Sequence, residues 1–158
     1  MKVAPADLAD PQVAALVAAH QAALAANSPP GLSFALDASG LADPAITLLG
    51  VWEGDRLAGI GALKQLSPRH AEIKSMRTAD AFLRRGVARC MLSALLDLAR
   101  ERGVARVSLE TGTTADYTPA VTLYRGFGFA NGAAFADYEL TDFNQCLHLN
   151  LAPGDENS

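Results

Sequence analysis

Residues 76–91, MRTADAFLRRGVARCM, set Arg84, Arg85 and Gly86 immediately before a run of helical periodicity that begins at Val87. The first turn of a helix leaves backbone N–H groups without intrahelical partners and carries about half a positive charge, so it attracts anions. Two guanidinium groups beside it add to that pull, and a glycine lets a ligand approach the backbone closely. The ligand implied is a phosphate or pyrophosphate. The chain has no G-x-x-x-x-G-K-[ST] loop and no three-glycine dinucleotide fingerprint, which excludes those two phosphate sites. A solvated loop with a glycine placed for its φ angle is the alternative reading.

Metal chemistry finds no support. His20 falls in a helical run, His70 follows Arg69 in a loop, and His148 alternates with Leu147 and Leu149, so no two histidines have ligand spacing. Cys90 and Cys146 are too few and too far apart for a disulfide framework or zinc knuckle, and read as reduced thiols.

The elements that must hold the loop follow from periodicity. An alanine- and leucine-rich helix runs from Asp10 to Asn27, with Asp10 as N-cap and Pro11 in the first turn. Residues 32–41 read as a loop or short helix between prolines and glycines. Strands are predicted over 46–52 and 56–66 around a Glu53-Gly54-Asp55 turn, and over 71–78. In the last of these, Ala71, Ile73 and Ser75 share one face and Glu72, Lys74 and Met76 the other. Val87, Met91, Ala94, Leu95 and Leu98 then mark a helix that Gly103 ends. A strand over 104–111, a short helix over 118–125, and strands over 135–140 and 145–151 complete the order. The fold expected is a mixed α/β (α+β) sheet flanked by helices, with a parallel crossover where β-α-β occurs and hairpins elsewhere.

Length and charge bound the rest. At roughly 100 to 200 residues per domain, 158 residues make a single domain over 1–151, with 152–158 frayed. Thirteen basic against seventeen acidic residues give a net charge of −4, which argues against nucleic acid as the partner. No apolar stretch is long enough to span a bilayer and the N-terminus has no signal-peptide pattern, so no membrane partner and a cytoplasmic location are expected.

The strand, the RRGVA loop and the amphipathic helix resemble the acetyl-CoA-binding motif of the GNAT N-acetyltransferase superfamily, Q/R-x-x-G-x-G/A. Gly86 and Ala88 match its last two fixed positions, and Leu83 stands at the first. Farther on, YTPAVTLYRGFGF places Ala120, Tyr124, Gly128 and Phe129 as the family does, with Tyr117 where asparagine is usual. Order and spacing agree from about Ile46 to Leu151.

The resemblance implies a sheet whose central strands splay, with acetyl-CoA as cosubstrate and an acceptor amine meeting it at the gap. The main chain of Met76, Arg77 and Thr78 would pair with the pantetheine arm. The amides of Arg84, Arg85, Gly86, Val87 and Ala88 would receive the pyrophosphate, the two guanidinium groups nearby. Acyl transfer to an amine needs a neutral amine, a place for the oxyanion and a proton for the departing thiolate. Tyr124 matches the family tyrosine near the cofactor sulfur, and a phenol of pKa about 10 can protonate a thiolate whose conjugate acid lies near 8.5. Its alternative is ring packing beside Phe127 and Phe129. Glu72 and Glu110 are the carboxylates placed to face the gap, as base, water relay or ammonium anchor; the alternative for each is a surface glutamate paired to Lys74 or Arg106. Cys90 lacks a neighbouring base and is a poor covalent intermediate, which favours direct attack in a ternary complex. Residues 28–41 with the last two strands would shape the acceptor pocket, Phe34, Trp52, Tyr138 and Phe143 being candidate linings with core packing as their alternative. The acceptor expected is a small-molecule amine, and proteins of this shape often form a homodimer through sheet edges. A non-catalytic acyl-CoA-binding or regulatory module of the same fold is the rival reading.

Overall fold

The computed structural model describes residues 1–27 and 38–151. Its elements in chain order are β1 (Lys2–Pro5), α1 (Pro11–Asn27), α2 (Ala38–Leu41), β2 (Ile46–Glu53), β3 (Arg56–Ser67), β4 (His70–Thr78), α3 (Val87–Glu101), β5 (Arg106–Gly112), α4 (Thr118–Gly126), β6 (Ala130–Gly132) and β7 (Asn144–Asn150). Single 3-10 turns at Asp80–Phe82 and Ala115–Tyr117 precede α3 and α4. The strands form one mixed sheet in the order β1-β2-β3-β4-β5-β7-β6, antiparallel at every pairing except β4 with β5. The α+β class is as expected, and the crossover through α3 joins the parallel pair β4 and β5. Among the described residues no helix is long and apolar enough to cross a membrane.

Each face of the sheet has its own core. On one, Val87, Met91, Leu92, Leu95, Leu96 and Ala99 of α3 bury against Ala71, Ile73, Val107, Leu109 and Leu147. Of the stripe expected in the sequence, Val87, Met91 and Leu95 are fully buried while Ala94 and Leu98 are half-buried, and the buried face turns to take in Leu92, Leu96 and Ala99, which that reading does not name. A Cβ on Gly61 would lie 2.7 Å from Cγ of Met91, so the missing side chain is what lets α3 sit so close to β3. On the opposite face Val13, Leu16 and Val17 of α1 pack on Leu48, Leu57, Ile60 and Ala62. The Asp10 carboxylate accepts from the Gln12 N–H at 2.8 Å, the cap that starts α1.

Three expectations need correction. The edge strand β1 is added before α1; it is only four residues and ends in proline, and its pairing of Lys2 with Trp52 through Pro5 with Leu49 is long-range. Residues 135–140 form turns instead of a strand, and the strand that pairs with β7 is the earlier Ala130–Gly132. A bulge breaks the alternation of β4: Ala62 pairs with Lys74 and Ile60 with Arg77, so one intervening residue of β3 faces two of β4. Ser75 takes φ 56° there. The extra residue sends Met76 to the α3 face, with Ala71 and Ile73, and turns Arg77 toward α1. Residues 28–37, most of the expected pocket-shaping segment and Phe34 with it, and the tail 152–158 lie outside the described residues.

Candidate functional site

Strands β4 and β5 pair only at His70 with Arg106, Ala71 with Val107 and Glu72 with Ser108. Beyond Glu72 they part, although β4 continues to Thr78 and β5 to Gly112. Parallel strands that separate leave the facing N–H and C=O groups of both edges without ladder partners. The opening is a cleft of about 420 Å³. Its walls include Glu72, Lys74, Met76, Arg77 and Thr78 of β4, Glu110 of β5, Val87 and Ala88 of α3, and Tyr124 of α4. The candidates for acid, base and cofactor contact therefore converge on one space.

At one mouth of the cleft stands the loop before α3. Arg84 adopts φ 63° and Gly86 φ 83°, and nothing lies within 4 Å of a Cβ built on Gly86, so that glycine serves the left-handed backbone and not a close contact. No side chain caps the first turn of α3. Positive φ at Arg84 and Gly86 ahead of an uncapped helix start is a backbone geometry that can receive an anion. The guanidinium of Arg85 stands 5.3 Å from the Phe82 ring centroid. Arg84, Arg85 and Gly86 do not line the cleft itself but flank it, whereas Leu83, 54 % exposed, does line it.

Tyr124 is buried on the α3 face, its ring edge-on to Phe129 at 5.9 Å and its hydroxyl 3.8 Å from Sδ of Met76. Packing and cleft lining thus coexist in one residue. Burial pushes its phenol up to about 12, so the proton stays on Oη at any physiological pH.

The carboxylates lie on the other face. Val107 and Leu109 pack under α3, so Ser108 and Glu110 point the opposite way by the two-residue period of β5. Glu72, far from being a surface residue, is 2 % exposed. Its Oε2 accepts from Lys74 Nζ at 3.1 Å and from the Tyr138 hydroxyl, which itself accepts from Lys74 Nζ at 2.6 Å. Burial first, then the adjacent Glu72 charge, raises the Tyr138 phenol well above its ordinary value. Glu110 is held by Asn144 Nδ2 at 3.1 Å, and burial raises its pKa above the usual glutamate range. The pair of Glu72 with Lys74 is the alternative read in the sequence, though buried and not on the surface. Missed were Asn144 and the Tyr138 hydroxyl that closes the triangle, because the turns after β6 bring Tyr138 back over β4 without any local signal.

A second group missed in the sequence underlies this wall. Ser108 Oγ lies 2.7 Å from His70 Nε2 and 2.6 Å from His148 Nδ1, and His148 Nε2 lies 2.8 Å from the Ala133 carbonyl. With Nε2 of His148 donating to that carbonyl, the bonds run in one direction, His70 to Ser108 to His148. Phe135 packs its ring on His70, His148 and Tyr138 at 5.9, 5.6 and 5.1 Å, so the chain fixes the segment that carries Tyr138. Of the expected pocket linings, Tyr138 and Phe143 reach the cleft, while Trp52 packs with the α1 core.

Residues 14–129 match the sequence profile of the Acetyltransferase (GNAT) family. The chain is 49 % identical over 150 residues to an N-acetyltransferase of uncharacterised role from Escherichia coli (strain K12), YedL, covering 95 % of this chain and 94 % of that protein. It is 48 % identical over 132 residues to a similarly described N-acetyltransferase, YsnE, from Bacillus subtilis (strain 168), covering 84 % and 87 %. A Bacillus subtilis acetyltransferase solved in complex with CoA superposes with a TM-score of 0.67 at 16 % identity, over 96 % of this chain and 99 % of that one, which shows a shared fold.

Proposed function

The chain belongs to the acetyltransferase (GNAT) family, and we propose that it transfers the acetyl group of acetyl-CoA to the primary amine of a small metabolite, by direct attack within a ternary complex. The observation that carries this reading is the parting of β4 from β5 after Glu72, which puts a buried phenol on one face of the gap and a half-buried carboxylate on the other. Acetyl-CoA supplies an acyl group activated as a thioester. The open edge of β4 from Met76 to Thr78 suits an amide-bearing arm. The uncapped turn of α3, with Arg84 and Arg85 beside it, suits its pyrophosphate.

Glu110 is the base. Its raised pKa fits a proton acceptor working nearer neutrality than an ordinary glutamate, whereas Glu72 is already bonded to Lys74 and Tyr138 and acts by holding that wall in place. Tyr124 keeps a proton at Oη for the sulfur that leaves. Proton removal from the amine and proton delivery to sulfur thus fall to groups on opposite faces. Calorimetric titration with acetyl-CoA, followed by a thiol-release screen of amino acids, polyamines, aminoglycosides and short peptides, tests the reading. Binding in the micromolar range with release for one amine class is expected. Absence of binding at millimolar acetyl-CoA would overturn it.

A further inference from the structure

A lysine and an arginine line the cleft, Lys74 and Arg77, and their situations differ. The ammonium of Lys74 is engaged by Glu72 and Tyr138. Arg77, turned to the α1 face by the bulge at Ser75, donates from Nε to Nδ1 of His20 at 3.0 Å. His20 is 7 % exposed; burial and then the Arg77 charge lower its pKa to about 4, so it remains a neutral acceptor at Nδ1. The guanidinium is thus fixed at one nitrogen. Its two terminal nitrogens have no partner among the described residues, and no carboxylate of the described chain pairs with it.

The unused fork of this half-buried guanidinium is not sealed from the cleft, so an arriving anion can take the place of solvent on it. The fork Nη1–Nη2 is planar and matches a carboxylate in two parallel bonds, which an ammonium group does not. The same wall carries Glu110, with a single hydrogen-bond donor in Asn144. One wall of the cleft therefore offers a site for each end of a zwitterion.

We infer that the acceptor amine also carries a carboxylate, as free amino acids and peptide C-termini do, and that Arg77 binds that carboxylate while His20 positions Arg77. This deepens the acetyl-transfer reading and rests on it. Charge-assisted hydrogen bonds of this kind typically contribute about 1.5–3 kcal/mol, or roughly 10- to 150-fold in affinity.

The test is steady-state thiol release on the intact protein. Free α-amino acids and dipeptides are assayed beside their C-terminal amides and their decarboxylated amines. The expected result is at least about a ten-fold higher kcat/KM for the acids. Arg77→Gln raises the acceptor KM about ten-fold or more for acids alone, with the acetyl-CoA KM within about three-fold of the wild type. His20→Ala reproduces part of the KM rise and His20→Asn, which retains an acceptor oxygen, restores it. Equal use of acids and amides by the wild type, or an equal effect of Arg77→Gln on both, overturns the inference while leaving acetyl transfer in place. Acetyl-CoA binding without thiol release for any amine overturns the inference and the acetyl-transfer reading together. Circular dichroism of each variant separates a lost clamp from a lost fold.

Discussion

The hydroxyl of Tyr124 lies 3.8 Å from the thioether sulfur of Met76, and that sulfur is its hydrogen-bond partner in the described structure. A thioether is a weak acceptor, so the phenolic proton is held loosely and is available to a stronger one. Burial raises the phenol to about 12, which keeps the proton in place without any neighbouring charge.

Tyr124→Phe therefore separates chemistry from packing. The ring contact with Phe129 survives, and the melting temperature should change by only a degree or two. If the hydroxyl protonates the leaving sulfur, kcat falls about 100-fold or more while the acetyl-CoA KM stays within about three-fold. An unchanged kcat would assign the residue to packing alone. The wild-type rate should also show no alkaline loss from this group below about pH 10, because the raised pKa delays its ionisation.

Glu110→Gln tests the base and carries a stability signature of its own. Burial raises the carboxyl pKa in the folded chain, so the stability this group contributes is present at low pH and is lost as pH rises through its folded value. The glutamine variant should accordingly melt at or above the wild-type temperature at pH 7, with the difference shrinking as the pH falls below the ordinary glutamate range. Turnover should drop by about 100-fold and lose its acid limb. Glu72→Gln should behave differently. It leaves Lys74 in a nearly closed wall without its carboxylate partner, so a lower melting temperature at pH 7 is expected.

What could be read from the sequence was local. The Asp10 cap, the helix beginning at Val87 and the strand expected over 104–111 each depend on residues within one element, and each is present in the structure. In the loop before α3 it is the alternative reading that matches, Gly86 being placed for its φ angle. What could not be read depends on partners distant in the chain. Ala130–Gly132 is exposed and short, and becomes a strand only because Asn131 lies opposite Leu147. The bulge at Ser75 has no residue signature, yet it decides which face Met76 and Arg77 occupy. Tyr138 reaches Glu72 across 66 positions, so a local reading that could pair Glu72 with Lys74 could not reveal the second bond from the Tyr138 hydroxyl.

The cofactor loop can be tested against an internal control. Gly86 and Gly103 have φ of 83° and 75°, and neither has an atom within 4 Å of a built Cβ. Alanine at either position meets only backbone strain, about 1–2 kcal/mol by the handedness cost of L-residues. Both variants should lose a similar few degrees in melting temperature. Only Gly86→Ala should also weaken acetyl-CoA, by about ten-fold in calorimetry, because only Gly86 shapes the turn in front of the α3 amides. Equal cofactor affinity in the two variants would remove this loop from the site.

Gly112 and Tyr117 couple the end of β5 to the start of α4. A Cβ on Gly112 would lie 2.2 Å from the Tyr117 ring, a clash that backbone adjustment cannot absorb cheaply. Gly112→Ala should therefore cost about 1–3 kcal/mol as the ring is driven out of place, and since Tyr117 lines the cleft the acetyl-CoA or acceptor KM should rise with it. Shortening the side chain removes the conflict. In a double-mutant cycle Gly112→Ala should be largely tolerated in a Tyr117→Asn background, a coupling well above the few tenths of a kcal/mol expected for independent sites. Additive melting shifts across the cycle would mean that the ring rotates aside freely, and that Gly112 is not what seats Tyr117 against the cleft.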